Sequence, residues 1–314
     1  MMKNVSAEPS SPHINHEAAT RGIMADVIIA LCPVAVYGCI LFGLKAVILL
    51  IATTATAVAS EFVWNFALKK EQTIGDLSAI VTGLLLGLTL SSTVPVWVAI
   101  IGSFTAIIVV KQMFGGLGYN FVNPAIAARI VLLVSFPSMM TTFSAPLTSY
   151  GDSVDAITAA TPLAAETATS VKELFFGMHA GSIGETSAFL LLIGGLYLIA
   201  RRIISPVIPL SFICTVGIMT LIFGGQLLPA LFSGGLMLGA IFMATDHTTS
   251  PTTLIGRIIY GVGCGLIAFV IRKFGSITEG VSYAIILMNI ITPHINKLNL
   301  KRPLWLKGGA NNEI

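Results

Sequence analysis

Apolar stretches recur along almost all of this 314-residue chain, at approximately residues 24–43, 46–68, 79–92, 96–110, 124–141, 184–200, 205–223, 226–243, 254–271 and 277–294. About 20 apolar residues carry a helix across a hydrocarbon core, so ten such spans would use about 200 residues. Charged residues are 10% of the sequence and hydrophobic ones 55%, against about 25% charged in a soluble domain. There is too little polar surface to solvate a globule of this size. The composition excludes a soluble enzyme, a nucleic-acid binder and a disordered chain. It predicts an all-α, polytopic membrane protein of about ten transmembrane helices, with residues 1–314 forming one integral domain.

Charge distribution predicts the orientation. With the N-terminus inside, the cytoplasmic set is Lys3, Arg21, Lys69, Lys70, Lys111, Arg201, Arg202, Arg257, Lys297, Lys301, Arg302 and Lys307. Opposite them stand Lys45, Lys172, Arg272 and Lys273, a ratio of 12 to 4. Lys and Arg collect on the cytoplasmic side, which predicts a cytoplasmic segment 1–23 and a cytoplasmic tail 295–314. The first 21 residues, with Pro9 and Pro12, do not resemble a cleavable signal peptide. Cys32, Cys39, Cys214 and Cys264 lie inside apolar stretches and read as buried thiols. His13, His16, His179 and His294 show no metal-ligand spacing and are expected at the surface or interface, so no metal site is predicted.

An internal echo predicts duplication. Gly83-Leu84-Leu85-Leu86-Gly87 matches Gly235-Leu236-Met237-Leu238-Gly239, and each is followed by a hydroxyl-rich turn ending in Pro95 or Pro251. The two spans would run in opposite directions, as in an inverted 5+5 repeat. Small-residue packing patterns also recur by chance in membrane helices.

Ionisable groups at membrane depth are expensive and usually partnered. Arg129 is such a group, and Glu61 or Asp76 is its expected partner. Glu61 reads either as part of an ion path or as an internal polar contact, whereas Glu279 reads as snorkelling at the outer end of its span. Asn123-Pro124 and Ser250-Pro251 have the form of a helix cap followed by proline in the first turn. A second reading makes these helix starts, positive at their N-termini, a site for a ligand's polar head group or for a partner. The one long connection, 142–183, is an outer loop rich in Ala, Thr and Ser.

Four segments carry a family resemblance. They are Ser10-Ser11-Pro12-His13-Ile14, Ile23-Met24-Ala25-Asp26-Val27, Gly115 to Ala125 (GGLGYNFVNPA) with Ala128-Arg129 after it, and Met243 to Pro251 (MATDHTTSP). With Gly280, Asn289 and Pro293, these make the chain resemble, almost end to end, a superfamily of membrane redox subunits. It contains the RnfD subunits of Rnf electron-transport complexes and the NqrB subunits of sodium-pumping NADH:quinone oxidoreductases. The short N-terminal region favours the Rnf branch.

The resemblance implies a component of an ion-translocating ferredoxin:NAD+ oxidoreductase in the bacterial cytoplasmic membrane, relaying electrons coupled to Na+ or H+ movement. It implies FMN joined by a phosphoester to Thr161 in a motif Thr158-Ala159-Ala160-Thr161, which starts with Thr where Ser is common. A separate flavin transferase would load it, and a noncovalent riboflavin is implied within the bundle. Partners would be the other Rnf subunits and membrane lipid, with no nucleic acid. The resemblance also highlights Asp246, beside which His247 departs from the expected apolar or Pro residue. No residue of this chain is expected to be catalytic alone, and binding of nicotinamide or ferredoxin is expected of other subunits. The competing reading is a non-redox channel or secondary transporter built on an inverted repeat.

Overall fold

The computed structural model describes residues 16–146, 171–185, 187–275 and 280–298, which are helical with no extended strand among them. In chain order the helices are α1 (His16–Phe42), α2 (Leu44–Ala67), α3 (Ser78–Thr89) and α4 (Val96–Phe104), the last continued by a π-helix, Thr105–Gln112. Then come α5 (Pro124–Ser135), α6 (Pro137–Met140), α7 (Val171–Phe176), α8 (Ala188–Ala200), α9 (Val207–Ile222) and α10 (Leu227–Phe232). The last are α11 (Leu236–Leu238), continued by a π-helix Gly239–Met243, α12 (Leu254–Phe274) and α13 (Val281–Leu298). The end of the bundle where α1 begins is the near end, and the opposite one the far end.

Among the described residues three segments are long and apolar enough to cross a membrane outright: Thr20–Phe42, Leu44–Ala67 and Leu254–Phe274. Their outward faces carry Ile40, Phe66 and Leu254, each more than 60% exposed, as contact with lipid rather than water demands. The first two are separated by Gly43, whose φ of 69° suits glycine and breaks the helix within one residue.

The other apolar helices are shorter. α3 has 12 residues, about 18 Å of rise against a core of about 30 Å. Its path continues as buried, non-helical Leu90, Ser91 and Ser92. Irregular backbone at such depth needs partners from the protein, and a returning segment supplies them. Ile183 N donates to Leu90 O (2.9 Å) and Gly184 N to Leu88 O (2.7 Å). Residues 171–183, part of the expected outer loop, thus form α7 and then run back into the bundle, with Ile183 and Ser182 fully buried. The loop's other flank is pinned to the same turn by Ser92–Ser144 (2.6 Å) and by Thr93 Oγ1 donating to Thr142 O (2.7 Å).

The stretch 226–243, read from its apolarity as one span, is broken. Gly234 and Gly235 both take φ near 68° and separate α10 from α11. Arg272 of α12 donates to the carbonyls of Ala230 (2.9 Å), Ser233 (3.1 Å) and Gly234 (2.8 Å), satisfying the opened backbone. Apolarity specified burial here, while the two glycines removed helical continuity.

The small-residue echo has a packing role. An added Cβ on Gly83 would lie 2.7 Å from Thr54 Cα and 2.8 Å from Thr53 O, and one on Gly87 2.5 Å from Thr53 Oγ1. Gly83→Ala must therefore push α2 and α3 apart, with an expected loss of about 1–3 kcal/mol. Gly22→Ala meets nothing within 4 Å and should be neutral or stabilising by up to about 1 kcal/mol. Thermal unfolding of both variants in detergent checks the contrast.

Two further expectations are corrected. Cys264 is buried, but Cys32 and Cys214 are exposed on the bundle and Cys39 is half-buried. A thiol facing lipid loses nothing by that exposure. His179, expected at the surface, is only 6% exposed, because the segment that carries it turns into the interior.

Candidate functional site

The near end holds a cavity of about 770 Å³ of open space including its mouth. The starts of α1, α3 and α5, the ends of the π-helix Thr105–Gln112 and of α8, and the turn after Met243 converge on it. Val81, Leu85, Leu198 and Phe242 form apolar walls, while Lys111, Asn120, Asn123 and Asp246 bring polar groups to its lining. A mostly apolar cavity with a few placed polar groups is the usual form of a small-molecule site.

Asn123 builds one wall. It is the N-cap of α5, its Oδ1 accepting from Ala125 N (3.0 Å) and Ile126 N (3.3 Å), as the Asn-Pro pattern predicts. Its Nδ2 also donates to Met243 O (3.2 Å), tying α5 to the second π-helix. Asn123→Ala should cost about 0.5–2 kcal/mol for the cap alone. Asn123→Asp keeps the cap acceptor but sets a carboxylate oxygen against Met243 O at a buried position, so it too should melt below wild type in a thermal scan.

The second Pro turn behaves differently from its expected cap. α12 begins at Leu254, and Thr253 caps it, Oγ1 accepting from Gly256 N (3.1 Å). Ser250 is drawn into the preceding turn, its N–H donating to Asp246 O (3.0 Å), and Pro251 O accepts from Arg257 Nε (3.1 Å). Asp246 holds this turn through Thr248 N (3.4 Å) and Thr249 Oγ1 (3.2 Å). Burial pushes its carboxyl above the usual aspartate range, opposed by those two hydrogen bonds and by His247.

Beside the cavity lies a buried ion pair. Lys111 Nζ sits 2.9 Å from Glu61 Oε2 and 3.1 Å from Oε1, with both side chains at most 2% exposed. Gln112 Nε2 (3.1 Å) and Thr73 Oγ1 (2.5 Å) also donate to Glu61 Oε1. Lys111 donates to Ser78 Oγ (2.6 Å), which donates onward to Asp76 Oδ1 (2.5 Å). Lys111, counted with the charges at the cytoplasmic boundary, is thus an internal cation. It lies at the end of the π-helix Thr105–Gln112, a conformation often found at functional positions.

Arg129 pairs with neither expected acid. Its Nη2 lies 3.9 Å from Glu185 Oε1, both side chains buried, since Glu61 is bound by Lys111 and Asp76 by Ser78. Glu185 belongs to the returning segment and packs against the glycine break, where a Cβ on Gly235 would stand 2.6 Å from its Oε1. Thr89 and Ser282 line the small space beside this pair. The candidate residues Asn123 and Asp246 therefore meet at the near-end cavity, Glu61 adjoins it through Lys111, and Arg129 stands apart. Sequence reasoning missed Glu185 and the inward Lys111. A lone acid opening an apolar stretch, like the Arg within another, was the available signal for Glu185.

Thr158, Ala160, Thr161 and Glu279 lie outside the described residues. Among the described residues no group of three or more His, Cys, Asp or Glu side chains could hold a metal ion.

A family model described as the NQR2, RnfD, RnfE family matches residues 8–304. The chain is 47% identical over 301 residues to the D component of the Na(+)-translocating ferredoxin:NAD(+) oxidoreductase complex of Acetobacterium woodii, with 93% of each chain covered. It is 42% identical over 316 residues to the D component of the proton-translocating ferredoxin:NAD(+) oxidoreductase complex of Clostridium ljungdahlii, covering 94% of this chain and 95% of that one. It is 38% identical over 317 residues to the D component of an ion-translocating oxidoreductase complex of Stutzerimonas stutzeri, covering 88% of this chain and 89% of that one.

Proposed function

Because the chain belongs to the NQR2, RnfD, RnfE family, we propose that it is the D-type membrane component of an ion-translocating ferredoxin:NAD+ oxidoreductase. The observation that carries this reading is near end-to-end identity of 47% with a protein of that name. The protein crosses the bacterial cytoplasmic membrane ten times as an inverted 5+5 repeat, with both termini in the cytoplasm. It works among the other subunits of the complex and in contact with membrane lipid, and couples electron relay to Na+ or H+ movement.

Two flavins belong to this proposal. FMN is carried on Thr161 of the motif starting at Thr158, loaded by a separate flavin transferase. The fit is chemical: a threonine hydroxyl can be esterified by a flavin phosphate, and small neighbours such as Ala160 leave it accessible. The tether keeps the carrier from diffusing away at the membrane surface. We assign the noncovalent riboflavin to the near-end cavity as its candidate place, on the chemistry of the lining alone: apolar walls for the faces of a ring system, and Asn120, Thr245 and Asp246 for polar edges. When bound, a flavin accepts and passes on electrons one or two at a time. The chain's own part is to shape and hold the site. Asn123 fixes the start of α5 against Met243, Phe242 and Leu198 exclude water, and Lys111, held by Glu61, places a cation in the lining.

Membranes from cells lacking this chain should lose ion-coupled NAD+ reduction by reduced ferredoxin, and re-expression should restore it. Unchanged activity in the deletion strain would contradict the reading. Cysteines placed one at a time in the 142–183 and 69–76 segments test the orientation: impermeant reagents should label the first from outside and the second from inside.

A further inference from the structure

α8 ends on an arginine where the backbone favours glycine. Arg202 N donates to Ile199 O (2.9 Å) and Ile203 N to Leu198 O (2.9 Å). These bonds form a Schellman turn with Arg202 at φ 58°. Glycine usually fills that left-handed position because a Cβ crowds the backbone there. Arg202 is exposed and lines a second near-end cavity, together with Arg257 and His247.

This second cavity has about 770 Å³ of open space including its mouth, and among the described residues no carboxylate lines it. Ser205 and Ser250 add hydroxyls to the lining. Arg257 directs Nε to Pro251 O, leaving its two Nη groups without a hydrogen-bond partner among the described residues. Of the neighbouring acids, Asp26 is bound by Arg201 (3.1 Å), and Asp246, beside His247, is held by Thr248 N and Thr249 Oγ1 and lines the first cavity.

Two helices also begin here. Pro206 and Ile208 at the start of α9 line the cavity, as do Ser250 ahead of α12 and Arg257 in its first turn. The helices have 16 and 21 residues and pack against each other. Each N-terminus carries partial positive charge; because Val207 N is held by Ser205 Oγ (3.5 Å), Gly256 N by Thr253 Oγ1 (3.1 Å), and Pro206 and Pro209 have no N–H, that contribution is one of charge. Cations and helix starts together form a receptor for an anion. Arginine's planar fork of donors favours phosphate among anions.

We propose that this vestibule binds a phosphate ester, held by Arg202, Arg257 and His247 over the starts of α9 and α12. Riboflavin has no phosphate, so the ligand is distinct from the flavin assigned to the first cavity, although Ile203, Ile204, Thr245 and His247 line both. Its source is either the headgroup of an anionic phospholipid at the membrane face or a soluble phosphate ester.

The test uses the intact purified complex, delipidated in neutral detergent. One arm titrates phosphatidylglycerol and reads binding by native mass spectrometry. The other measures binding of labelled inorganic phosphate by equilibrium dialysis. Arg202→Gly suits the turn better than the native residue, so its folding is not in question. It should weaken binding in at least one arm about tenfold, the loss of a charge-assisted hydrogen bond. Arg202→Gly/Arg257→Gln should weaken it further. A loss confined to the phosphatidylglycerol arm identifies lipid as the source, and a loss in the phosphate arm a soluble ester. The proposal is overturned if Arg202→Gly leaves both arms unchanged, or if the wild-type complex binds neither probe. Should the double variant fail to fold, Arg202→Gly alone decides.

Discussion

Glu61→Ala is expected to destabilise the protein by about 3–5 kcal/mol, the range for removing one partner of a buried ion pair. Lys111 is 2% exposed, and the carboxylate at 2.9 Å is the counter-charge that keeps its ammonium tolerable there. Without it, Ser78 Oγ remains as an acceptor, too little to replace an anion. Lys111→Met should cost less, because Gln112 and Thr73 still donate to the orphaned carboxylate. The paired variant Glu61→Gln/Lys111→Met removes both charges and should recover most of the loss, since neutral replacement of a whole buried pair is often tolerated. Heating each variant in detergent and following the monodisperse fraction by size exclusion measures the order. If Glu61→Ala melts with wild type, the pair is not an internal strut.

Thr161→Ala should remove covalent flavin from the chain altogether and bring ferredoxin-driven NAD+ reduction by the complex to background. No other hydroxyl occupies the acceptor position of the motif, and Thr158 stands at its start, three residues earlier. Thr158→Ser restores the residue more usual there and should leave the flavin in place. In-gel fluorescence after denaturation reads both variants. Retention of covalent flavin by Thr161→Ala would move the attachment point. A dark wild-type chain, matured with a flavin transferase, would favour the channel or transporter reading.

Much of the helical layout was written in the apolar pattern. The first two spans, expected at 24–43 and 46–68, appear as α1 and α2 with a glycine break between them, and 254–271 appears within α12. Asn123 capped its helix as its residue type and the following proline predict. What escaped reading has a common cause. Hydropathy reports that a segment is shielded from water, and it is silent on whether the backbone stays helical. Gly234-Gly235 therefore looked like the interior of a span, although both residues adopt positive φ. The returning segment 177–185 looked like loop followed by helix, although its backbone N–H groups complete α3. Charge counting was silent on the burial of Lys111 for a related reason, since position relative to a span end does not give side-chain direction. The acids expected to partner Arg129 lie within or just before other spans, whereas Glu185 arrives on irregular backbone that no periodicity marks.

The central claim is that this membrane bundle is a redox protein because it carries a tethered flavin. The most direct measurement is tandem mass spectrometry of the proteolytic peptide spanning residues 155–164, taken from chain matured with a flavin transferase. A peptide heavier by one esterified FMN, with the added mass localised to Thr161, is the predicted result. An unmodified peptide at full occupancy, or a flavin localised to another residue, would contradict it.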